Sequence, residues 1–92
     1  MIKNVSIIIS GKVQGVYFRQ SAKKRAEELN VQGNVRNLHD GKVMIVAEGE
    51  EASLYEFYKW CQEGPPLAMV SEVKFEEGEL KNFIGFSIVK SH

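Results

Sequence analysis

Twice along its 92 residues the chain changes hydrophobic rhythm, from alternation to steps of three and four and back again. Val5, Ile7 and Ile9 alternate with Ser6, Ile8 and Ser10, the period of a strand with one face turned to a core. Phe18, Ala22, Ala26 and Leu29 then share one face of a helix over Phe18 to Leu29, with Lys23, Lys24, Glu27 and Glu28 facing water. Asn30 suits a left-handed helix end. Alternation resumes over Gly33 to Leu38 and over Lys42 to Glu48, joined by His39-Asp40-Gly41, where Asp-Gly favours a hairpin. A second helix starts near Glu50, its opening glutamates set against the positive end of the helix dipole. Its buried stripe is Leu54, Phe57, Tyr58 and Cys61. Gly64-Pro65-Pro66 stops it, since proline does not continue a helix and disfavours one in the residue before it. Val70 to Glu77 and Phe83 to Val89 close the chain as strands around Gly78-Glu79.

The order is β-α-β-β-α-β with a short extra strand at the C-terminus. Two striped helices bury their apolar faces most economically together on one face of an antiparallel sheet, an α+β sandwich of ferredoxin-like topology. A chain of 92 residues suits a single domain over 1–92. No apolar run approaches the about 20 residues that a helix needs to cross a bilayer. Lys3 is not followed by an apolar stretch ending in a small-residue cleavage site. Cys61, the lone cysteine, forms no intramolecular disulfide, and no Cys/His cluster has zinc spacing. The expectation is a cytoplasmic protein without metal or membrane attachment. Fold alone leaves the activity open.

Charge narrows it. Residues 1–47 hold 8 Lys/Arg against 3 Asp/Glu, whereas residues 48–92 hold 4 against 9. Between Ser10 and Ala26 stand Lys12, Arg19, Lys23, Lys24 and Arg25, with no acid among them. Such a stretch is either a solvated helix face or a local field that attracts a small anion. The chain as a whole is neutral, which argues against extended nucleic-acid binding. The strands Val5 to Ser10 and Val43 to Ala47 also carry no aromatic residue on which a base could stack.

The segment Gly11-Lys12-Val13-Gln14-Gly15-Val16-Tyr17-Phe18-Arg19 lies between the first strand and the start of the first helix. Free backbone N–H groups at a helix start, reached through a glycine-containing loop, form a concave anion site, and Arg19 adds a guanidinium fork. The plainer alternative is a structural turn followed by a surface arginine. The segment is neither a Walker loop nor a dinucleotide fingerprint. Asn37 sits at the end of the second strand, on the same face as Val35. It either caps the turn or orients a water beside a bound anion.

Gly11 to Arg19, followed by Val35-Arg36-Asn37-Leu38-His39-Asp40-Gly41, closely resembles the two signature motifs of the acylphosphatases. Gly64-Pro65-Pro66 before Val70 and the closing Phe86-Ser87-Ile88 are also similar to that family, so the likeness runs over essentially the whole chain. The resemblance implies hydrolysis of acyl phosphates to a carboxylate and inorganic phosphate, on a ferredoxin-like fold, without metal or cofactor. Arg19 matches the family's phosphate-binding arginine and Asn37 its water-orienting asparagine. Gln14, Gly15, Val16, Tyr17 and Phe18 match the segment whose backbone amides hold the phosphoryl oxygens. Asn34 departs from the pattern, since many members carry an aromatic residue before Val-Arg-Asn.

An acyl phosphate leaves behind a carboxylate, already the stable base at neutral pH, so no general acid is needed and phosphoryl transfer becomes positioning and charge stabilisation. The expected partners are a small acyl phosphate as substrate and inorganic phosphate as product and inhibitor, acting on a monomer. Val16, Tyr17 and Phe18 are expected to form a hydrophobic rim for the acyl group. His39 and His92 are badly placed to act with Cys61, which reads as a core thiol, so a covalent cysteine mechanism is not expected. The competing readings are a nucleic-acid or protein-binding module, and an accessory domain that binds acyl-phosphate groups within a larger assembly.

Overall fold

The elements follow the two changes of rhythm. They are β1 (Ile2–Lys12), α1 (Phe18–Glu28), β2 (Gln32–Asn37), β3 (Val43–Glu50), α2 (Glu51–Glu63), β4 (Met69–Gly78) and β5 (Phe86–Ile88). The structure, a computed structural model, describes residues 1–90, and His92 lies outside them. The sheet order is β4-β1-β3-β2-β5. The β1–β3, β1–β4 and β2–β3 pairs are antiparallel, which makes the four long strands the expected antiparallel sheet. The short extra strand β5 lies parallel to β2, so the five-stranded sheet is mixed. The reason is topological: the chain leaves β4 at one edge, crosses to the other and turns back, which sets β5 running in the same direction as β2.

One face of the sheet carries the core. Ile7 and Ile9 of β1, Val35 of β2, and Val43, Ile45 and Ala47 of β3 are buried with Phe18, Ala22 and Ala26 of α1 and Leu54, Phe57 and Cys61 of α2. Both helices therefore cover the same face, forming the ferredoxin-like sandwich. Truncating a buried aromatic such as Phe57 to alanine would cost about 3–5 kcal/mol. Tyr58 differs from expectation. It is only half-buried, and its ring meets Phe75 edge-on at 5.1 Å, at the margin of the core.

Helix ends follow local chemistry. Asn30 takes the left-handed conformation at φ 58°. The Val31 N–H donates to Ala26 O at 2.8 Å and the Asn30 N–H to Glu27 O at 3.2 Å, closing α1 two residues beyond its last regular turn. Gly64 ends α2 at φ 70°, and a Cβ there would stand 2.8 Å from the Phe18 ring, so only glycine fits. Among the described residues no helix is long and apolar enough to cross a membrane.

The closing strand begins three residues later than the alternation predicts, at Phe86 rather than Phe83. The register is the reason: Phe86 pairs with Gly33 in parallel, so Phe83 falls opposite Asn30, before β2 begins, and is held instead by Glu48. Its buried carboxylate accepts the Asn4 amide at 2.9 Å and the Phe83 N–H at 3.0 Å, together with the Lys81 N–H. Those backbone donors are thus satisfied without a ladder. Burial alone pushes the Glu48 carboxyl upward, but the bonds from Lys81, Asn4 and Phe83 outweigh it and hold the group below its ordinary value.

β1 and β2 each pair antiparallel with β3 and so run in the same direction. Their C-terminal ends, with the loop before α1 and the hairpin before β3, therefore lie at one end of the sheet. Glu48 lies at the other.

Candidate active site

The loop between β1 and α1 is pinned from within. Val13, Val16 and Phe18 are 1%, 3% and 2% exposed, so these residues belong to the core and fix the loop to it. Gly15 at φ 72° and Tyr17 at φ 65° both adopt left-handed angles on either side of Val16. Left-handed residues within such a turn bring neighbouring N–H groups to one concave side. The conformation is uncommon for a residue with a side chain, and at Tyr17 it marks a backbone held under local strain. Helix α1 has no side-chain cap at its start. Among the described residues, none of the backbone N–H groups from Gln14 to Arg19 finds an acceptor. Unpaired donors at the positive end of a helix dipole present a site for an anion.

Arg19 stands in the first turn of α1. Lys23 and Arg25 pair with Glu27 and Glu28 along the helix, whereas Arg19 makes no ion pair among the described residues. Its neighbours are instead the walls of a cleft of about 240 Å³, lined by Val13, Gly15, Tyr17, Phe18, Arg19, Gln20 and Asn37. Asn37, the last residue of β2, brings to it an amide whose Oδ1 is buried without a hydrogen-bond partner. An unmet buried acceptor costs about 1–3 kcal/mol, so its persistence beside a cleft asks for a function.

The structure thus brings Arg19, Asn37, Gly15, Tyr17 and Phe18 to one cleft, while the side chains of Gln14 and Val16 do not line it. The expected rim of three apolar side chains is corrected to one: Val16 and Phe18 point inward, and only Tyr17, 68% exposed, is free to meet an acyl group. Sequence reasoning also missed the side chain of Gln14, whose Nε2 donates to Leu38 O at 2.8 Å and to Lys42 O at 2.9 Å. Its signal, a long amide next to a glycine, is indistinguishable in sequence from a solvated loop residue. Cys61 is buried on α2, and that burial pushes its thiol up, so it stays protonated at neutral pH. His39 lies exposed in the hairpin, on a different element.

Fold and site together define an α+β sandwich of ferredoxin-like topology with a cleft at the β1–α1 loop whose lining includes Arg19 and no acidic side chain. The acylphosphatase family model matches residues 5–88. The chain is 53% identical over 75 residues to an acylphosphatase of Rubrobacter xylanophilus, covering 82% of this chain and 68% of that one. Its fold is similar to the structure of an acylphosphatase from Coxiella burnetii, with TM-score 0.93 and 43% identity over 96% of this chain and 93% of that chain. The crystal structure of the Bacillus subtilis acylphosphatase is also similar, with TM-score 0.92 and 37% identity over 97% and 99% of the two chains. The chain belongs to the acylphosphatase family, hydrolases acting on acid anhydrides.

Proposed function

We propose that the chain hydrolyses acyl phosphates by direct attack of a water on phosphorus. The observation that carries this reading is the convergence, in one cleft, of unpaired loop N–H groups, an unpaired guanidinium and an unpartnered buried amide oxygen. The N–H groups of Gln14 to Phe18 and the fork of Arg19 hold the phosphoryl oxygens and offset their charge. Asn37 Oδ1 accepts a hydrogen bond from the attacking water and holds it in line. A P–O bond forms to the water oxygen as the bond to the acyl oxygen breaks, and the electron pair leaves with the carboxylate. The water's proton passes to a phosphoryl oxygen of the substrate, so inorganic phosphate departs as a monoanion or dianion and competes for the same cradle.

The same reading takes the working unit to be a monomer. The reading assigns no step to a metal, since Arg19 and the loop N–H groups offset the phosphoryl charge themselves. Cytoplasmic placement belongs to the same reading, as the compartment in which soluble acyl phosphates would be met.

The test is hydrolysis of benzoyl phosphate and of a stable phosphomonoester by the wild type and by Asn37→Ala, with and without EDTA. The expected result is rapid cleavage of the first substrate, almost none of the second and no effect of the chelator. Asn37→Ala should lower kcat by about a hundredfold or more while inhibition by inorganic phosphate stays nearly unchanged. Equal cleavage of both substrates, or an undiminished kcat in the variant, would overturn the proposal.

A further inference from the structure

We infer that Gln14 is a positioning residue for this reaction, its side-chain amide clamping the anion loop to the β2–β3 hairpin and so fixing the distance between cradle and water. The inference rests on the reading of Asn37 given above. An amide NH2 has two donors, and Gln14 uses both, on Leu38 O at 2.8 Å and Lys42 O at 2.9 Å. Leu38 directly follows Asn37, and its own N–H donates to Lys42 O at 2.8 Å, so the clamp grips the hairpin at its first closed pair. No other hydrogen bond among the described residues joins segment 13–18 to segment 37–42.

The two sides of the clamp are unequally anchored: the loop is fixed in the core, whereas Asn37 is the last residue of β2, paired with Val43 where the ladder ends and the exposed turn begins. Val13, Val16 and Phe18 fix the loop in the core, whereas His39, Asp40 and Gly41 are exposed and the turn relies on short-range bonds. Gly41 N–H donates to Leu38 O at 3.2 Å and Lys42 N–H to Asp40 Oδ1 at 3.1 Å, both within the turn itself. Releasing Gln14 would therefore loosen the hairpin end beyond the Asn37–Val43 pair, shift Asn37 at its base, and leave the cradle in place. A misplacement of about 1 Å in a positioned reactant lowers turnover by as much as about a hundredfold.

The experiment compares Gln14→Met, which keeps the length and loses both donors, with Gln14→Glu, which keeps the shape and sets acceptors against the two carbonyls. In each, kcat on benzoyl phosphate should fall about tenfold or more, while the inhibition constant of inorganic phosphate changes less than about threefold. Amide exchange at Leu38 and Gly41 should accelerate. In an Asn37→Ala background, Gln14→Met should lower kcat by less than about twofold, because the group it positions is already gone. Wild-type kcat in a folded Gln14→Met, losses that multiply in the double variant, or phosphate affinity falling in step with kcat would each overturn the inference. Should Asn37→Ala alone leave kcat intact, the role of Asn37 falls. The clamp is then judged by exchange at Leu38 and Gly41, and unchanged rates there would overturn it too.

Discussion

The two ends of the sheet treat polar groups in opposite ways. At one end the buried carboxylate of Glu48 accepts from the buried amide of Asn4 and from the part-buried N–H groups of Lys81 and Phe83, so these groups are mutually satisfied. At the other, among the described residues, the N–H groups of the β1–α1 loop have no acceptor, Arg19 has no counter-ion, and Asn37 Oδ1 is buried unpaired in a cleft that a left-handed Tyr17 also lines. A cleft of about 380 Å³ opens beside Glu48, larger than the one at Arg19, yet the carboxylate on its wall already has its partners. Size alone is thus a poor guide to a working site, and so is one unmet acceptor, since Asn34 Oδ1 is also buried unpaired but lines neither cleft. One end holds the fold together, and the other carries local strain and unmet donors that a tetrahedral anion would complete.

Substitutions at the two ends should therefore separate activity from stability. Arg19→Ala removes about two charge-assisted bonds of about 1.5–3 kcal/mol each, so kcat/KM on an acyl phosphate should fall by about 10²–10⁴-fold and inhibition by phosphate should weaken. The urea unfolding midpoint should stay nearly where it was, since no ion pair is lost; unaltered phosphate inhibition would contradict the assigned role. Glu48→Ala should do the reverse, lowering stability by about 2 kcal/mol in urea titrations while the folded fraction keeps its turnover. Because the folded Glu48 carboxyl titrates below its ordinary value, its contribution is complete above about pH 4.5 and lost as pH falls through the lower folded value. Wild-type stability should accordingly drop on acidification through that window, and Glu48→Gln should flatten the drop.

Cys61→Ala probes the core between the two ends. It should lower stability by about 1–2 kcal/mol through lost packing, with kcat unchanged, and abolished turnover in a folded variant would reopen the thiol as a reactive group. The smallest effect belongs to Tyr17→Gly. Relief of the left-handed strain and the greater freedom of glycine in the unfolded chain nearly offset each other, leaving a change within about 1 kcal/mol. Thermal unfolding of that variant, followed beside its kinetics on aliphatic and benzoyl phosphates, separates backbone strain from contact with the exposed ring.

Much of this was legible in the chain itself because regular elements leave a period. The stripes Phe18-Ala22-Ala26 and Leu54-Phe57-Cys61, and the alternation through Ile7, Ile9, Val43 and Ile45, fix which faces are buried. The placement of Arg19 and Asn37 in one cleft follows from β1 and β2 running the same way, a consequence of element order. Loops carry no period. Val16 reads equally as rim or as anchor, and only packing decides. The late start of β5 depends on its register against β2, and the residues before it are held by a Glu48 carboxylate more than thirty positions away. Gln14 was hidden for the same reason, its partners Leu38 and Lys42 being distant in sequence and offering carbonyls that every residue possesses.

The donors gathered before α1 are main-chain atoms, and this sets how the site can be damaged. Exchanging one side chain for another leaves an N–H in place, so the cradle tolerates many replacements at its exposed positions. Proline alone deletes such a donor, and an added or missing residue re-aims all of them at once. The weak point of this anion holder is the length and curvature of its ribbon more than the identity of the residues strung along it.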